Sequence, residues 1–199
     1  MNKRMAILIG VLAASRLVAG EWQEKYASLG KLIVTNFASS PFPHPLRAQG
    51  HTYQDQFFAA AEHYQDSHVA LFIPKDFQAG HEIDFVVHFH GWRNHVSNVL
   101  ARYQLPEQFA ASHRNAILIV PQGPLDAPDS FGGKLEDADG FKRFMEEAFA
   151  VMHKEGVGGD GRLGRIILSG HSGGYEVISA TRASPLHHDM FVVSAPSFR

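Results

Sequence analysis

Five short apolar runs constrain this chain more than any other feature: HVALFIP at 68–74, EIDFVVHFH at 82–90, NAILIVP at 115–121, RIILS at 165–169 and MFVVS at 190–194. Each has the length and the branched or aromatic content of a strand. Helical patterns lie between them. Val96, Val99, Leu100, Tyr103 and Phe109 fall at helical spacing broken by Pro106, which predicts a helix and a second short helical turn. Phe144, Met145, Ala148, Phe149 and Met152 repeat the pattern, with Asp139 as an N-cap and Gly156 as a stop. A further helix is predicted over 173–182. Apolar strands alternating with amphipathic helices imply an α/β three-layer sandwich with a mainly parallel sheet covered on both faces. The link carrying Gly80 is short, so HVALFIP and EIDFVVHFH are predicted to be neighbouring strands. SSPFPHPLRAQG at 39–50 reads as a surface loop.

A chain of 199 residues, 45% hydrophobic and 11% aromatic, has the composition of one globular domain, and it contains no repeat or long linker. Its 18 basic and 20 acidic residues leave a net charge of -2, which gives no electrostatic basis for binding nucleic acid or an anionic membrane. The expected partner is a small molecule or a neutral polymer. The absence of cysteine removes disulfides, thiolate nucleophiles and cysteine metal sites together. At the N-terminus, Asn2-Lys3-Arg4, the apolar Met5 to Ala14 and the small Val18-Ala19-Gly20 read as a secretory signal over 1–20. That reading makes 21–199 the mature domain, secreted or periplasmic. The apolar run is too short for a stable membrane anchor.

In parallel sheets chemistry gathers at the carboxyl ends of the strands. There lie His90-Gly91-Trp92, Gln122-Gly123 and Gly170-His171-Ser172-Gly173-Gly174. The last fits G-x-S-x-G between a strand and a helix, a sharp turn that exposes a serine hydroxyl, with glycines where side chains would clash with neighbouring backbone. Ser172 is therefore the candidate nucleophile. The following helix directs the Gly173 N–H and its dipole at a developing oxyanion. Gly91 permits a tight turn that offers the Trp92 N–H as a second donor, with His90 supporting the loop.

With HFHGW, NAILIVPQGP and RIILSGHSGG in this order and helices between, the chain from about His68 onward resembles the α/β-hydrolase superfamily, in the form of a secreted bacterial serine esterase or lipase. The resemblance implies acyl transfer on an ester or amide without a cofactor. It also implies an Asp or Glu and then a histidine after the serine, on loops following later strands. After Ser172 stand only Glu176, His187, His188 and Asp189. Glu176 falls within the helix, and the other three precede MFVVS, at the end of the sheet opposite Ser172. The expectation is thus a fold short at its C-terminus, lacking the last strands and helices, with an apolar edge strand open to self-association. A non-catalytic binding module of the same fold is the alternative.

Other histidines offer no obvious base. His171 is expected to point away from the hydroxyl, and His88 and His95 suit core or surface roles. Adjacent His187 and His188 would point to opposite faces, and Asp126, Asp129, Glu136, Asp137 and Asp139 lack EF-hand spacing, so no metal is expected. The polar loop over 122–140 is read as solvated and bordering the cleft, with Phe131 and Trp92 as apolar contacts.

Overall fold

The computed structural model describes residues 20–181 and 190–195. Residues 1–19, where a signal is expected, together with His187, His188 and Asp189, lie outside them. Residues 20–26 are helical (α1). Then come β1 (Gly30–Asn36), a 3-10 turn at Pro45–Arg47, the hairpin β2 (His51–Tyr53) and β3 (Gln56–Phe58), and α2 (Ala60–His63). β4 (His68–Pro74), β5 (Glu82–Phe89), α3 (Val96–Ala101), α4 (Leu105–Ala111) and β6 (Ala116–Pro121) follow. The chain continues through a 3-10 turn at Gly133–Glu136, α5 (Gly140–Lys154), β7 (Arg162–His171), α6 (Gly174–Thr181) and β8 (Met190–Ala195).

The class is α/β. Six strands form one sheet in the order β1-β4-β6-β5-β7-β8. It is a mixed sheet: β5 is parallel to β6 and β7, and β7 to β8, while β4 is antiparallel to both β1 and β6. Two expectations are corrected here. β4 and β5 are not neighbours, because β6 lies between them, and β4 reverses direction. The link over 75–81 carries the reason: a parallel crossover needs a dozen or more residues, whereas a short link returns antiparallel. β1 was not foreseen, since LIV in GKLIVTN is a brief apolar run, yet it pairs with β4 along its whole length.

Side-chain alternation gives each face its own core. Ile33, Leu71, Phe85, Val87, Ile119 and Leu168 pack with the buried stripe of α5 and with Val177 and Ile178 of α6. Leu32, Phe72, Leu118 and Val120 pack with Tyr26 of α1, Val99 and Leu100 of α3 and Phe109 of α4. The Tyr26 hydroxyl donates to the Leu100 carbonyl at 2.8 Å, tying α1 to α3. Pro106 lies in the first turn of α4, where a missing N–H leaves nothing unpaired.

Two local expectations also change. Asp139 holds the N-cap position of α5 in a left-handed conformation, φ 55°, and its side chain makes no capping bond. The segment over 39–50 is no mere surface loop: Ser40, Phe42 and His44 are buried. Phe42 packs edge-on against Tyr64 and Phe131, at 5.3 and 6.2 Å between centroids. Pro41, buried beside Ser40 and Phe42, has no backbone donor that burial would leave to be satisfied.

Candidate active site

β7 ends at His171, α6 starts at Gly174, and Ser172 between them has φ +50°. That left-handed conformation is one that non-glycine residues avoid. The first turn of α6 closes on the elbow, Tyr175 N–H donating to the Ser172 carbonyl and Glu176 N–H to that of Gly173, at 3.1 and 3.2 Å. Close approach explains the neighbouring glycines. A Cβ on Gly91 would stand 2.9 Å from the Ser172 Cβ and 2.7 Å from the His171 carbonyl. One on Gly173 would stand 2.5 Å from Trp92 Cδ1 and 2.7 Å from Ser130 Oγ. Gly170 and Gly174 abut Ile178 and the Phe89 carbonyl in the same way. The chain thus brings Gly91, Trp92, Gly170, Ser172, Gly173 and Gly174 together at one end of the sheet.

His90 is buried and fully engaged. Its Nε2 accepts the Gly123 N–H and faces Gln122 Nε2, each at 3.0 Å, while Nδ1 lies 2.8 Å from the Gly91 carbonyl. A backbone N–H can only donate, so the network assigns the ring proton to Nδ1, donated to Gly91. Burial lowers the His90 pKa below the ordinary imidazole range, keeping the ring neutral. His90 therefore clamps the loop that lies against Ser172.

Gln122, placed by the sequence at the end of a strand, was given no role there. Its side-chain oxygen accepts the Val96 N–H at the start of α3, at 2.9 Å, while its amide faces His90. One buried side chain joins the end of β6 to α3 and the His90 clamp. Its sequence signal is a lone polar residue directly after the fully buried β6.

The loop after β6 is packed, not merely solvated. Ala127, Asp129, Ser130 and Leu135 are buried. Arg47 Nε and an Arg47 NH2 group hold the two Asp129 oxygens at 2.7 and 3.2 Å, and the Phe131 N–H donates to the same carboxylate at 3.0 Å. Burial pushes the Asp129 carboxyl up, but these hydrogen bonds outweigh it and hold it below the usual carboxylate range. Phe131 lies 4.7 Å from the Arg47 guanidinium. With Ser130, Gly173, His90 and Val177 it lines a cavity of about 20 Å³, room for roughly one water. Trp92 Nε1 donates to Ser130 Oγ at 2.6 Å, and the indole packs edge-on against Tyr53 at 5.1 Å.

The remaining histidines are turned to other partners. The His171 ring lies 5.8 Å from that of Tyr103, His88 Nδ1 lies 3.0 Å from Ser169 Oγ, and His95 Nδ1 lies 2.7 Å from Asp126. Burial pushes the His88 pKa down to about 4. Glu176 is exposed on the first turn of α6. Among the described residues, no group of three or more metal-ligating side chains converges.

No family model matches the chain, and no curated protein matches it. Two esterases are among the solved structures that match the chain. One is esterase B from Lactobacillus rhamnosis inhibited by a tributyrin phosphonate, 14% identical with a TM-score of 0.37; the match covers 98% of this chain and 60% of that one. The other is a mutant feruloyl esterase module from Clostridium thermocellum complexed with sinapinate, 8% identical with a TM-score of 0.30, covering 85% of this chain and 82% of that one. This chain therefore spans about 60% of the length of esterase B. At these identities and scores the likeness assigns no reaction.

Proposed function

We propose that this protein is an exported serine hydrolase of the α/β-hydrolase type, acting on an ester or amide through Ser172. The observation that carries the reading is the positive φ of Ser172 on a strand-to-helix turn whose glycines admit the Gly91-Trp92 loop against it. In the proposed step, Ser172 Oγ bonds to the acyl carbon and the carbonyl electron pair moves onto oxygen. The Gly173 and Trp92 N–H groups hold that oxyanion. The pair then returns, the bond to the leaving group breaks, and the serine proton ends on the departing alcohol or amine. Water releases the acid and restores Ser172. His90 and Gln122 act by positioning the donor loop.

A second reading, a non-catalytic binding module using the same cleft, is favoured by one observation. Among the described residues, no histidine hydrogen-bonds the Ser172 hydroxyl. Turnover of p-nitrophenyl butyrate by the full chain separates the two. The hydrolase reading expects release of p-nitrophenolate that disappears in Ser172→Ala without loss of fold. Saturable quenching of tryptophan fluorescence without turnover would instead establish the binding module.

A further inference from the structure

Among the described residues, five large apolar side chains stand exposed: Leu46, Phe57, Trp92, Tyr103 and Tyr175. Single exposures of this kind are ordinary, whereas several gathered at one place mark a surface kept open for a ligand. Leu46 and Phe57 belong to the 3-10 turn at Pro45–Arg47 and to β3. The other three meet the elbow. The Trp92 ring abuts Gly173, where a Cβ would stand 2.5 Å from Trp92 Cδ1. The Tyr103 ring lies 5.8 Å from that of His171. Tyr175 sits on the first turn of α6, and its N–H donates to the Ser172 carbonyl at 3.1 Å.

Trp92 and Tyr103 thus rest on the two chain neighbours of Ser172, which is itself exposed. One point shows how closely these groups gather: a Cβ on Gly91 would stand 2.9 Å from the Ser172 Cβ and 3.4 Å from His171 Nδ1. The serine and the imidazole that carries Tyr103 therefore flank the same turn. Trp92 is 40% exposed and Tyr103 39%, so each keeps part of its ring open beside the hydroxyl. Trp92 is also held, its Nε1 by Ser130 and its ring by Tyr53. A ring fixed before binding gives up little freedom when a ligand settles on it.

We propose that Trp92, Tyr103 and Tyr175 form the surface on which the substrate lies, and that the substrate is an ester carrying an aromatic ring. This rests on the serine hydrolase reading and names its substrate class. Exposed aromatic side chains attract a second flat ring twice over, by burial of apolar area and by offset or edge-on stacking. A small aliphatic ester covers little of this surface and gains little from it. The rings hold a part of the substrate that does not react, so they bind ground state and transition state alike. Their removal raises KM for a ring-bearing ester and leaves kcat.

The test uses the full chain with 2-naphthylmethyl acetate and ethyl acetate, which share an acyl group and differ in the ring on the alcohol. For the parent we expect kcat/KM to favour the naphthylmethyl ester about tenfold or more. Tyr103→Ala and Tyr175→Ala are each expected to cut that preference about fivefold, through KM for the naphthylmethyl ester, with the urea midpoint preserved. Tyr103→Phe and Tyr175→Phe keep the ring and are expected to keep the preference. No preference in the parent, a preference undiminished in both alanine variants, equal losses in the alanine and phenylalanine variants, or a fall in kcat common to the two esters would each overturn the inference. Fluorophosphonate labelling of Ser172 in the same samples would leave the hydrolase reading intact. A parent chain that neither hydrolyses an ester nor labels at Ser172 would remove both.

Discussion

Among the described residues, Ser172 is one of seven non-glycine residues with positive φ, alongside Gln54, Arg93, Gln104, His113, Asp126 and Asp139. Backbone strain alone therefore does not mark a site; Ser172 is distinguished by the glycines on both sides and the loop packed against it. Titration is also decided residue by residue. The buried His88 imidazole has its pKa pushed down to about 4, against about 6.5 when unfolded. Between those values the unfolded chain takes up a proton that the folded chain refuses, so stability falls as pH falls. The loss from His88 reaches about 3 kcal/mol near pH 4, and buried His90 acts in the same direction. His68 works oppositely: hydrogen bonding to Asp66 raises its pKa, so its contribution is complete below about pH 6.5 and is lost as pH rises through the folded value. Asp66 and Asp129, with lowered pKa values, lose their contributions only below about pH 4. Urea midpoints at pH 7 and 4.5 check this: the acid loss is expected to shrink in His88→Asn, and an unchanged loss would refute the assignment.

At the scale of elements, the longest apolar runs were legible because burial on both faces of a sheet leaves a continuous hydrophobic stretch. The five runs became β4, β5, β6, β7 and β8, and the split of α3 from α4 follows from Pro106. Pairing was less legible, since a run reports burial and not its neighbours. The segment over 39–50 was misread because turn residues conceal the partner it packs against. That partner is the loop after β6, joined through Arg47 and Asp129 with side-chain exposures of 19% and 6%. Breaking such a pair leaves a buried carboxylate uncompensated, so Arg47→Ala is expected to cost about 3–5 kcal/mol in urea unfolding. The Asp129→Asn and Arg47→Met pair, which removes both charges, is expected to recover much of that loss. Equal destabilisation in both variants would mean that Arg47 contributes by packing over Phe131 instead.

Across the whole molecule, the sheet gathers what the sequence disperses. Trp92 follows β5, Gln122 and Ser130 follow β6, and Ser172 follows β7, and the three loops meet at one edge. The G-x-S-x-G turn and the His90-Gly91-Trp92 loop were legible because tight turns leave local glycine signatures. The Gln122–His90 clamp and the Trp92–Ser130 contact were not, since each joins residues more than thirty positions apart through one hydrogen bond. The most direct measurement of the central claim is mass-spectrometric mapping of the full chain after treatment with a fluorophosphonate. We expect one adduct, on Ser172 within GRIILSGHSGGYEV, and none in Ser172→Ala; a folded parent chain left unmodified, or modified only at another serine, would contradict the account.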